Sequence, residues 1–185
     1  GALEVLVNTA VNRLGHFDFV IHSIAWAPLE DLHGRVIDSS SIGFSRAMEV
    51  SCHSFATLAK LCAPHMPSGG TLLTMSYLGA DEAVPHYGLM GPVKAALESL
   101  VRYMAVELGD KKIRVHAVSP GPILTRAASG IDHFDELLRT AAKKSPLGRP
   151  VRLEEIASLS TFLCSDGASG MTGQTIYVDG GCHAV

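Results

Sequence analysis

The chain has 185 residues, 47% of them hydrophobic and 18% charged, with a formal net charge of −3. That length and balance suit one packed domain and exclude a disordered chain. The mildly acidic total and the lack of any apolar run of membrane-spanning length give no reason to expect nucleic acid or membrane as partners.

Ala2 to Leu14 carries Leu3, Leu6, Val7, Ala10 and Leu14 at helical spacing and stops near Gly15. Phe17 to Ile24 is a short, mostly apolar run, expected as a strand buried on both faces. A long helical pattern covers residues 41 to 66 and ends before Pro67, and Thr71 to Ser76 is the next strand. Residues 91 to 108 predict an amphipathic helix with Val93, Leu97, Leu100, Val101, Met104 and Leu108 inward. Pro92 fits only in its first turn, where the missing N–H costs little. Ile113 to Ser119 is a third strand, Glu154 to Cys164 a further helix, and Thr175 to Val178 a last strand before Asp179-Gly180-Gly181.

Strands separated by helices imply right-handed crossovers and a parallel sheet. With no repeat or linker in sight, residues 1–185 read as a single α/β domain, Rossmann-like, with helices on both faces of the sheet. The glycine-rich turn that takes a pyrophosphate normally follows the first strand, and no such turn stands there. Gly167 to Gly173 has a glycine every third residue, but it follows a helix and precedes a strand, so it reads as a connecting loop. The pattern therefore corresponds to the fold without its first βαβ portion, and an amino-terminal section holding the first strands and the phosphate turn is expected upstream.

Cys52, Cys62, Cys164 and Cys182 are scattered without a CxxC pair, which favours free thiols in a reducing, cytoplasmic compartment. The nine histidines form no HExxH or comparable pattern, so no metal site is expected. Arg139, Lys143 and Lys144 lie close together on a helical projection. Such a cluster is either a solvated helix face or a landing place for an acidic partner.

The run from His86 to Lys94 contains a Tyr-x6-Lys pair, Tyr87 and Lys94, at the mouth of a helix. Seven residues is nearly two helical turns, so both could face one cleft if the helix reached back to Tyr87, whereas Pro92 allows Tyr87 to sit in the preceding loop. A phenol beside a fixed ammonium can stabilise an oxyanion; the bland alternative is a surface tyrosine and lysine flanking a helix start. Tyr77 lies just past the carboxyl end of a strand, where ligands collect in open parallel sheets, or else plugs the sheet as an aromatic cover. Trp26 reads as packing.

Four segments resemble one family: His22-Ser23-Ile24-Ala25-Trp26-Ala27-Pro28; Ser76-Tyr77-Leu78-Gly79-Ala80; Tyr87 to Lys94 followed by Ala95-Ala96-Leu97-Glu98; and Ser119 to Ile131. They are similar to the short-chain dehydrogenase/reductase superfamily in its divergent enoyl-acyl-carrier-protein reductase branch, the NADH-dependent type I bacterial enzymes. Ordinary members of the superfamily carry Tyr-x3-Lys, which would put a lysine at position 91; that position is Gly91.

The resemblance implies reduction of trans-2-enoyl-acyl-carrier-protein thioesters in fatty-acid biosynthesis, with NADH as cofactor and NADPH as the alternative. It implies Tyr77, Tyr87 and Lys94 as catalytic residues. Cofactor contacts would fall to Ser23, Ile24, Ala25, Lys94, Ile123, Leu124, Thr125, Arg126 and Ala127. The substrate would be lined by Ala27, Tyr77, Tyr87, Met90, Ile131 and Phe134, with residues 126 to 138 as a substrate-binding loop and helix. It further implies a homotetramer assembled through the helices at 41 to 66 and 91 to 108 and the last strand. Two other readings stand beside it: a truncated, non-catalytic relative that cannot bind dinucleotide, and a reductase of the superfamily acting on another enoyl or carbonyl substrate.

Overall fold

A computed structural model gives the fold and describes residues 1–125 and 133–185. Helix α1 (Ala2–Leu14) leads to strand β1 (Phe19–His22) and the short helix α2 (Leu29–His33). Helix α3 (Ser41–Met48) runs through a π-helical turn (Glu49–His53) into α4 (Ser54–Cys62), so the long periodic pattern is one interrupted rod. Strand β2 (Gly70–Met75), helix α5 (Met90–Leu108) and strand β3 (Ile113–Pro120) follow, then α6 (Phe134–Lys144), α7 (Leu153–Cys164) and β4 (Gln174–Val178).

Among the described residues the strands form one sheet in the order β1-β2-β3-β4, every pair parallel. Alternation along the strands sorts side chains between two apolar layers. Leu72, Val115 and Ala117 join the larger layer with Phe55, Leu58, Leu97 and Val101 of α4 and α5. Leu73 and Val118 point the other way and pack with Ile156 and Leu163 of α7. Strands β2 and β3 are thus covered on both faces.

Strand β1 departs from the sequence expectation of burial on both faces: Phe19 is 52% and Ile21 44% exposed. In register Ile21 sits beside Leu73, on the layer where Leu73 and Val118 pack with Ile156 and Leu163 of α7. Val20 and His22, on the opposite layer, are covered. Among the described residues β1 pairs with β2 alone.

Two polar devices hold the helices in place. The side chain of Ser40 caps α3, accepting from Gly43 N at 2.9 Å, and Asp31 of α2 accepts from Ser40 N at 2.6 Å and from its hydroxyl at 3.0 Å. At the far end of α7, the Arg114 guanidinium of β3 donates to the carbonyls of Leu163, Ser165 and Ala168, satisfying helix-terminal acceptors and opposing the helix dipole. The four cysteines are free thiols, three of them buried.

Candidate active site

The exits of β1, β2 and β3 open on a cavity of about 380 Å³. The backbone strip Ser23-Ile24-Ala25 leaves β1 along one wall, with Trp26 and Ala27 continuing it. Ser51, in the π-helical turn, fixes this strip: its hydroxyl accepts from Trp26 N at 2.8 Å and donates to Trp26 O at 2.9 Å. Trp26, read in the sequence as packing, stands beside Arg46 at the cavity. It lies 44% exposed at the cavity, with the Arg46 guanidinium 5.7 Å from its ring centroid.

Tyr87 sits in the loop before α5 rather than on the helix, which starts at Met90 and carries Pro92 in its first turn. The loop is sharply folded on either side of it. His86 and Gly88 both have left-handed backbone, φ +63° and +50°, and a Cβ on Gly88 would meet the Leu32 carbonyl at 2.7 Å. Gly79 makes the space for the ring itself, since a Cβ there would lie 2.3 Å from Tyr87 Cδ1. Tyr77 packs against Tyr87 with ring centroids 4.7 Å apart, and both line the cavity. Burial raises both phenols, Tyr77 to about 12 and Tyr87 further, so at neutral pH each is a hydrogen-bond donor.

Lys94, one turn into α5, is 5% exposed and reaches the same cavity. Its Nζ donates to the Met75 carbonyl at 2.6 Å. Desolvation pulls its pKa down to about 8, against the favourable field of Cys52 and Glu98. Beneath this group His22, 1% exposed, joins Thr74 Oγ1 through Nδ1 at 2.9 Å and Ser54 Oγ through Nε2 at 2.7 Å. Burial and the positive charge of Lys94 lower its pKa to about 4 and keep it neutral.

The cavity therefore gathers Ser23, Ile24, Ala25, Ala27, Tyr77, Tyr87, Met90, Lys94, Ile123, Thr125 and Phe134 from the residues singled out in the sequence. Leu124 is not brought in: it is 77% exposed and lies off the cavity wall, because the exit after Gly121 alternates its side chains and Ile123 takes the inward place. Arg126, Ala127 and Ile131 lie outside the described residues. Sequence reasoning missed Leu32, Leu153 and Ile156, which close the apolar side from α2 and α7. They come from distant segments and carry no local signature. It also missed a role for Glu98, although an acid inside the apolar stripe Val93, Leu97, Val101 was a legible signal.

Comparison with known proteins agrees with this geometry. The family model described as enoyl-(acyl carrier protein) reductase matches residues 1–183. The chain is 43% identical over 183 residues to an enoyl-acyl-carrier-protein reductase (NADH) of Rhizobium meliloti, covering 99% of this chain and 67% of that protein. It is 42% identical over 172 residues to the NADPH form from Staphylococcus aureus, covering 93% of this chain and 67% of that one. The crystal structure of the Anaplasma phagocytophilum enoyl-acyl-carrier-protein reductase in complex with NAD superposes with a TM-score of 0.94 at 42% identity, over 99% of this chain and 70% of that one. The chain spans about two thirds of the length of the curated relatives it matches, between 63% and 71%. With the parallel sheet, the Tyr-x6-Lys pair on one cavity and a match along nearly all its length, the chain belongs to the enoyl-(acyl carrier protein) reductase family.

Proposed function

We propose that this chain reduces trans-2-enoyl-acyl-carrier-protein thioesters to saturated thioesters in fatty-acid biosynthesis, using NADH, with NADPH as the alternative donor. The observation that carries the reading is the meeting of two buried groups, the Tyr87 phenol and the Lys94 ammonium, on one cavity at the strand exits. The relatives' names favour enoyl reduction over another carbonyl substrate.

The donors present fit a nicotinamide ribose. Lys94 has three N–H donors, of which one goes to Met75 O among the described residues, and the others are available to ribose hydroxyls. Ser23, Ile24 and Ala25 would lie along the cofactor with little side-chain bulk at Ser23 and Ala25, and Ile123 and Thr125 would flank it from the β3 exit. By the same resemblance Arg126 and Ala127 would extend that strip. When bound, the reduced nicotinamide supplies hydride to the β-carbon of the enoyl group.

Negative charge then gathers on the thioester oxygen. Tyr87, held protonated by burial, donates a hydrogen bond to that oxygen, the positive charge of Lys94 favours the same enolate, and a proton from solvent added at the α-carbon completes the saturated thioester. Tyr77 holds the Tyr87 ring in place by packing and shapes the acyl side of the cavity. Ala27, Met90 and Phe134 supply apolar wall for the acyl chain, and Ile131 would extend it. Leu32 and Ile156, both buried, add apolar wall, and Leu137 and Leu153 line its rim.

Two further readings accompany the reaction. Arg139, Lys143 and Lys144 on α6 form the landing place for the acidic carrier protein, with Lys144 already oriented by Glu82 at 3.1 Å. Ile42, Tyr103 and Val106, 76%, 69% and 84% exposed on α3 and α5, suit subunit contacts of a cytoplasmic homotetramer, which light scattering would measure. No helix among the described residues is long and apolar enough to cross a membrane.

The central test is oxidation of NADH by a 2-enoyl thioester. Tyr87→Phe removes one oxyanion donor and is expected to lower kcat by about 10²–10³ with the fold intact. An unaltered rate would remove Tyr87 from the reaction.

A further inference from the structure

The reaction as described leaves one buried acid unused. Glu98 is 6% exposed on the apolar face of α5, one turn beyond Lys94. A carboxylate in such a place is costly unless hydrogen-bonded. The Ser76 hydroxyl donates to Glu98 Oε1, and the Thr175 side chain of β4 hydrogen-bonds to it as well. Ser76 itself lines the cavity and directly follows Met75, whose carbonyl takes the Lys94 Nζ. Lys94 and Glu98 are therefore tied to consecutive residues of one strand exit.

Arg102 follows one turn further on and is exposed, so cation, anion and cation succeed one another at i, i+4 and i+8 from the cavity to solvent. Lys94 feels Glu98 along its own helix, Cys52 from the π-helical turn and His22 from β1. Glu98 in turn feels Asp81, Arg102, Tyr177 and Tyr87. Among these, Glu98 is the carboxyl group whose field acts on Lys94 from inside the protein. Burial pushes Glu98 up while Ser76, Thr175 and Arg102 hold it down.

We propose that Glu98 is a positioning residue of this site: anchored by Ser76 and Thr175, it keeps the Lys94 ammonium charged and aimed into the cavity. The proposal rests on the reading of the cavity as a reductase site only for its kinetic consequence. The coupling between the two side chains exists with or without turnover.

The experiment follows the lysine directly. The chain is prepared with carbon-13 at lysine Cε, its shifts are titrated with pH, and the Lys94 signal is identified by its loss in Lys94→Arg. Glu98→Gln keeps the shape and an acceptor for Ser76 but removes the charge, so the Lys94 midpoint is expected to fall by about one pH unit. The other lysines should not move. Where activity is measured, the basic limb of the kcat/KM profile should move down by the same amount, a change that a purely structural loss would not produce. If Glu98→Gln does not fold, Ser76→Ala combined with Thr175→Val strips the carboxylate of its donors and should move the midpoint in the same direction. An unchanged Lys94 midpoint in the folded variant overturns the proposal even if the parent reduces enoyl thioesters normally. A shifted midpoint in a chain that reduces no enoyl thioester upholds the positioning role and instead removes the proposed function.

Discussion

Replacing Lys94 by methionine keeps most of the side chain's length and removes its charge. Lys94 is 5% exposed, and burial holds its pKa down from 10.5 to about 8. An ammonium whose pKa falls on folding binds its proton more tightly in the unfolded chain. Below about pH 8 both states are protonated and the native state bears the whole penalty. Between about 8 and 10.5 the native state sheds its proton first, and stability rises with pH. At about 1.4 kcal/mol per pH unit, the penalty is on the order of 3 kcal/mol at neutral pH and shrinks by about 2 kcal/mol on reaching about pH 9.5. Methionine escapes it but forfeits the bond to the Met75 carbonyl, worth about 1.5–3 kcal/mol with a charged donor. Lys94→Met is therefore expected to match the parent or exceed it by up to about 1.5 kcal/mol near pH 7, with any gap closing as the pH rises. Urea unfolding followed by circular dichroism at several pH values measures both. A variant less stable at neutral pH, or a gap that stays constant with pH, refutes the reasoning.

Gly79→Ala would drive a methyl group to within 2.3 Å of the Tyr87 ring, so the ring must turn away from its place against Tyr77. The rate of enoyl-thioester reduction should fall by about tenfold or more, as for other small displacements of a reacting group; a variant with the parent's rate would show that the ring's position is not critical. His22 is held neutral with its pKa lowered from 6.5 to about 4, so its contribution is present above about 6.5 and is lost as the pH falls toward about 4. Between about pH 7.5 and 5 the parent should lose up to about 2 kcal/mol more than His22→Gln in urea unfolding, and equal losses would show that another group governs the acid limb.

Much of this architecture could be read from hydrophobic periodicity. The stripe Val93, Leu97, Val101 and Met104 faces the core, and Pro92 marked the start of that helix to within a residue or two. Tyr87 and Lys94 were visible as a spaced pair. Their convergence was not, because it depends on a loop that turns through the left-handed backbone of His86 and Gly88 and on the space left by Gly79. The apolar wall supplied by Leu153 and Ile156 was hidden for a different reason: it depends on where α7 lies relative to strand exits far earlier in the chain. The single long helix expected at residues 41 to 66 could not disclose its π-helical turn, since an extra residue in a helix leaves the hydrophobic count almost unchanged.

Two contacts of one rod meet at that turn. Within it, Ser51 grips the Trp26 backbone at the cavity rim. Just beyond it, Ser54 reaches the His22 ring, and Phe55, fully buried, lies 5.1 Å from the same ring. A regular helix advances about 100° per residue, so removing the additional residue would rotate everything after it by more than a quarter turn relative to everything before. Ser51, Ser54 and Phe55, spaced i, i+3 and i+4, share one face of the rod, and the turn sets the angle between that face and the α3 residues before it. A single-residue deletion between Glu49 and His53 should accordingly cost far more than any point substitution there.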